Sequence, residues 1–152
     1  MPRIHFYLIG LALLSALVAS HAQVNIDRSQ AAAMVRTWVF AAEGIAARCS
    51  KSYPQVSKQI ERDLATWKRQ ERVAIGRAES IWREMQATSP RSQSEVRADQ
   101  DSLNQLWVAL TTPQAGDPPN FAESRCTQYV QDRANGVLRS RRPEVFQALE
   151  RQ

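Results

Sequence analysis

Histidine is almost missing from this chain. Its two imidazoles, His5 and His21, both stand ahead of residue 23, in a stretch that reads as a leader. Without them, residues 23–152 cannot assemble a Ser-His-Asp or Cys-His nucleophile or a histidine-ligated metal site. Cysteine is as scarce. Cys49 and Cys126 stand alone, so there is no CxxC redox pair and no thiolate zinc set. The lysines are Lys51, Lys58 and Lys68, and the residues three places before them are Arg48, Gln55 and Ala65. A Ser–Lys dyad of the SxxK kind is therefore excluded. The five glycines form neither GxGxxG nor GxxxxGK[ST], the loops that cradle nucleotide phosphates. No cofactor and no metal is expected.

Long apolar runs are also lacking, except for residues 6–19. That run is shorter than the roughly 20 residues a spanning helix needs. Arg3 precedes it and Ser20-His21-Ala22 follows it, with a small residue at each position a signal peptidase reads. The pattern predicts a cleavable signal peptide over residues 1–22, cut after Ala22. Residues 23–152 would then form a single domain in the periplasm or outside the cell, with no transmembrane segment. The whole chain carries a net charge of +5. Loss of Arg3 with the leader would lower it by one.

Export makes the two cysteines informative, because an oxidising compartment favours pairing them. A Cys49–Cys126 disulfide is expected, with the Cα atoms roughly 4.4–6.8 Å apart.

The periodicity is helical throughout. Asp27 and Gln30 have capping-box spacing, and a helix should follow to about Arg48. Ser52, Pro54 and Gln55 predict the start of a long second helix reaching about Ala87, with any bend at Gly76. Ser92 with Glu95 and Asn120 with Glu123 repeat the capping spacing before a third and a fourth helix. Asn135-Gly136 stops the fourth, and a short C-terminal helix begins at Pro143. The fold class is thus all-α, a small bundle of about four to five helices stapled by one disulfide. Trp38, Trp67, Trp82 and Trp107 lie on or beside apolar stripes and read as core.

Three features bear on function. Glu71 is the one acid in an apolar stripe, sharing a face with Leu64, Trp67, Ala74 and Ala78. It is expected to be buried and paired with an arginine of another helix; an unpaired carboxyl there would instead be a general acid. Arginines form two clusters. Lys58, Arg62, Arg69, Arg72 and Arg83 lie opposite the stripe of the second helix, and Arg133, Arg139, Arg141 and Arg142 lie near the C-terminus. Charged outer faces are normal for amphipathic helices, but such faces also suit anionic partners. Phe40 is the third feature, a large apolar residue on the Arg36 and Glu43 side of the first helix. The C-terminal helix, with Val145, Phe146 and Leu149, is expected to fold over it; failing that, Phe40 marks a partner-binding surface.

The segment from Cys49 through Tyr53-Pro54 to Trp67 is similar to small exported bacterial proteins. In architecture alone the chain looks like periplasmic acid-stress chaperones and toxin-immunity proteins, which implies no particular partner. The expected function is a non-enzymatic binding protein of the bacterial cell envelope, an inhibitor, immunity factor or chaperone acting on another protein. The first alternative is a binder of anionic envelope material, lipopolysaccharide or lipid head groups, through the arginine faces. The second is a carboxylate-dependent lytic enzyme using Glu71. Nucleic acid is disfavoured as a partner.

Overall fold

A computed structural model of the chain describes residues 26–151; the predicted leader over 1–22 and its cut lie outside the described residues. Among the described residues the fold is all-helical, with seven α-helices and one 3-10 turn. The helices are α1 (Arg28–Ser52), α2 (Ser57–Gln70), α3 (Arg72–Thr88), α4 (Gln93–Thr111), α5 (Phe121–Ala134), α6 (Val137–Arg141) and α7 (Pro143–Glu150). The turn, Pro54–Val56, joins α1 to α2. None is long and apolar enough to cross a membrane.

The count exceeds the expected four to five for two reasons. The long second helix is divided at Glu71, and residues 137–141 form a separate turn of helix. The division falls at Glu71 and not at Gly76. Glu71 leaves the helical region (φ −96°, ψ 13°) but still donates to the Trp67 carbonyl and accepts from Ile75. Gly76 is exposed within α3, where an added Cβ would meet nothing within 4 Å. A glycine permits a bend but does not require one, and the break coincides instead with the buried, paired Glu71. Gly136 turns the chain between α5 and α6 with φ +73°, a conformation that Asn135-Gly136 anticipates.

Two of the four expected caps form. Asp27 and Gln30 close a capping box on α1, and Ser92 and Glu95 close one on α4. Ser52 is taken up by the end of α1, so Tyr53 stands at the next helical start without a side-chain bond. Asn120 makes no capping bond, and the Glu123 carboxylate instead accepts from Gln55 Nε2 at 2.6 Å. A tertiary partner has displaced the local one.

The capping carboxylates make stability depend on pH. Ser29 Oγ and the Gln30 amide donate to Asp27, which lowers its carboxyl from the ordinary 3.8. Ser92, through its amide and hydroxyl, lowers Glu95 from 4.5. A carboxyl lowered in the folded state stabilises the fold above its ordinary value, and that contribution fades as pH falls through the lowered value. The melting temperature should therefore hold from about pH 7 to 5 and drop below about pH 4. A melting temperature unchanged down to about pH 2 would contradict it.

Helix α1 is central. Its N-terminal half puts Ala31, Ala32, Val35, Val39 and Ala42 into one core with Trp67, Ala74 and Ala78, and with Val145, Phe146 and Leu149 of α7. Its C-terminal half puts Ile45, Ala46 and Cys49 into a second core with Ile60, Leu103, Leu110, Cys126 and Val130. The many alanines of α1 let neighbouring helices approach closely. The ion pairs Lys68–Glu43 (2.6 Å) and Arg36–Glu79 (3.5 Å) show α2 and α3 running antiparallel to α1. Cys49 and Cys126 form a disulfide, with Cα atoms 5.8 Å apart, that ties α1 to α5 inside the second core.

Helix α7 does not cover Phe40. It packs on the other side of α1, where Phe146 meets Trp38 with ring centroids 5.8 Å apart. Helix α3 closes the same core, which buries α7 completely on its apolar side. Phe40 stays 38% exposed. The tryptophans divide too: Trp67 is buried, whereas Trp38, Trp82 and Trp107 are half-buried.

Candidate functional site

The least covered part of the fold lies along the seam between α1 and α4. Helix α4 buries only Leu103 and Leu110, which are seven residues apart and so lie on one narrow stripe. It comes close to α1 at Gly44. A Cβ on that glycine would stand 2.5 Å from Leu103 Cδ2, so its absence is what lets Leu103 seat. Arg48 Nη2 donates to Asn104 Oδ1 at 2.7 Å and pins the seam nearby. Towards the N-terminus of α4 the facing residue of α1 is Phe40, one turn before Gly44. Residues 92–98 of this end are all exposed.

Two depressions open there, on either side of Phe40. The larger, about 640 Å³, lies between α1, Trp82 of α3 and residues 95–100 of α4. Val96, 54% exposed, shares its lining with Phe40. Arg91 sits at its edge with its guanidinium 5.7 Å from the Trp82 ring centre and Nη1 2.7 Å from Asp99. The smaller depression, about 370 Å³, lies between Trp38 and Phe40 of α1, Leu103 and Leu106 of α4, and Tyr129 and Arg133 of α5. Thr37, Phe40 and Asp99 border both, so the two form one groove with Phe40 as a ridge. Aromatic and aliphatic walls with a charged rim are what a protein-docking surface needs.

The other sequence candidates lie elsewhere. Glu71 is 4% exposed. Its carboxylate accepts from Arg139 of α6 three times, from Nε at 3.0 and 3.1 Å and from Nη2 at 2.5 Å. The same Nη2 donates to Glu150 of α7 at 2.8 Å, and the guanidinium lies 4.3 Å from the Phe146 ring centre. These bonds, Glu71 first, raise the Arg139 pKa. The cluster joins the Glu71 bend to α6 and α7, and Arg139 engages both oxygens of the carboxylate. Among the described residues no three His, Cys, Asp or Glu side chains gather as a metal set.

The arginines are not one surface. Arg139 is spent on Glu71 and Glu150, and Arg142 donates to Glu144 at 2.6 Å. Arg62, Arg69, Arg72 and Arg141 are exposed, and no carboxylate lies within ion-pairing distance of them among the described residues. Of the residues the sequence picked out as bearing on function, Phe40 and Arg133 of the C-terminal arginine cluster line the groove. Trp82, Arg91, Val96 and Tyr129, which also line it, were not singled out as a site. One signal for them was legible: Val96 is the one branched apolar residue in the first two turns of α4, too little to bury that end.

Neither a protein-family model, nor a curated protein, nor a solved structure matches this chain.

Proposed function

We propose that the chain is an exported, non-enzymatic binding protein of the bacterial cell envelope that engages another protein through the α1–α4 groove. The observation that carries this reading is Phe40, a large apolar side chain left on the surface between two depressions, with Val96 and Trp82 alongside. A protein that used this face for nothing would gain by covering or replacing such residues. The buried acid supports a structural role and not catalysis, because Arg139 occupies it. The disulfide suits an oxidising compartment, and the leader pattern supports export.

A photo-crosslinking side chain placed at Phe40 in the exporting cell tests this. A discrete protein adduct is expected, reduced about tenfold or more by Val96→Glu, since a charge at the centre of an interface removes hot-spot energy. No adduct from Phe40 would overturn the reading.

The second reading, binding of anionic envelope material, is favoured by Arg62, Arg69 and Arg72, which are exposed on α2 and α3 without ion-pair partners among the described residues. Retention on lipopolysaccharide that weakens with salt and is lost in an Arg62→Gln, Arg69→Gln, Arg72→Gln protein would support it.

A further inference from the structure

The smaller depression contains a charge that the protein does not balance. Arg133 Nη1 donates to the Tyr129 carbonyl at 2.7 Å. Its Nε is buried and has no hydrogen-bond partner. No carboxylate lies within ion-pairing distance of it among the described residues. The Tyr129 ring covers one face of the guanidinium, its centre 3.7 Å from Cζ, and Trp67 stands 6.0 Å away. Burial pushes the Arg133 pKa down, and the Tyr129 hydroxyl is pushed up for the same reason. A guanidinium in apolar surroundings is costly unless an anion accepts from it. Of the other charges that line the groove, Arg97 of the larger depression also makes no ion pair among the described residues, whereas two are matched. Arg36 has Glu79, and Asp99 on the rim is held by Arg91.

We infer that this depression is a binding site for an aliphatic monocarboxylate, whose chain lies against Trp38, Leu103 and Leu106 and whose carboxylate accepts from Arg133. A carboxylate is planar and meets a guanidinium edge-on; burial closes Nε and the Tyr129 carbonyl engages Nη1, which leaves Nη2 for the ligand. A single negative charge matches a single unpaired arginine. A dianion such as a phosphate monoester would leave one charge unmatched and would bring it towards the Asp99 carboxylate. The volume, about 370 Å³, falls at the lower end of small-molecule sites, roughly 300–1,000 Å³, which suits a medium-length chain. This inference does not depend on a protein partner for the groove.

Isothermal titration of the full chain with hexanoate, octanoate and decanoate tests it. Saturable binding is expected, with Kd tightening about fourfold per added CH₂ until the depression is filled. Decanol and decylamine, which keep the chain but not the negative charge, should bind about tenfold more weakly or worse. Arg133→Met should weaken decanoate about tenfold or more and leave decanol unchanged. The site is refuted if decanoate and decanol bind alike, if Arg133→Met keeps the decanoate affinity, or if no carboxylate binds below about 1 mM. Should Arg133→Met fail to fold, the comparison of decanoate with decanol and decylamine on the native chain decides the matter alone.

Discussion

Breaking the Cys49–Cys126 bond is expected to cost the fold about 4.5 kcal/mol, by the loop-entropy relation for a closure spanning 77 residues. The bond joins α1 to α5 within the second core, and both cysteines are fully buried. That core otherwise depends on a few large side chains, Ile45, Ile60, Leu103, Leu110 and Val130. A Cys49→Ala, Cys126→Ala protein should therefore melt about 15 °C lower, at a few degrees per kcal/mol for a chain of this size. The cost acts through the unfolded chain, which gains freedom, so the folded spectrum should change little. Groove function should survive below the new melting point. Equal melting temperatures for the oxidised and reduced native chain would show that the cross-link constrains nothing.

Replacing Arg139 with methionine should destabilise by about 3–5 kcal/mol, the usual cost of leaving a buried charge uncompensated. The Glu71 side chain is 5% exposed and has no other cation beside it among the described residues. Methionine keeps much of the packing of Arg139 over the Phe146 ring, so the loss reports mainly on charge. The reverse change, Glu71→Ala, should cost less. The Arg139 side chain is 40% exposed and retains Glu150 at 2.8 Å, so it stays solvated and paired. The larger penalty falls on the arginine because Glu71 is the buried member of the pair and Arg139 the half-exposed one. A Glu71→Met, Arg139→Met protein should recover most of the loss, because an apolar pair of similar volume can replace a buried ion pair at little cost. Urea denaturation of the four proteins measures the cycle. Additive losses, with no recovery in the double variant, would show that the two side chains do not act as a pair.

What the sequence determined by itself was whatever local periodicity and compartment chemistry control. The 3.6-residue spacing of apolar positions set the helices, and Asp27, Ser92 and Gly136 set three of their ends. Two cysteines and a leader pattern were enough to predict the disulfide. The inward placement of Glu71 was legible, since it shares a stripe with Leu64 and Trp67. The tertiary structure alone decided matters that depend on which stripe meets which. Helix α7 found α3 and the Trp38 side of α1, the apolar side, and not the Arg36 and Glu43 side where Phe40 stands; periodicity marks that face as apolar but does not say which later helix will cover it. Glu123 turned from Asn120 to Gln55, because a bond made across the fold competes with the local cap. Arg139, one of several arginines in a row, became the partner of Glu71 because α6 carries it to the bend. Phe40 was left as a ridge one turn from the point where Gly44 lets Leu103 seat against α1. A groove is made by the distance between two helices. That distance follows from paired surfaces far apart in the chain, and no single stretch of residues encodes it.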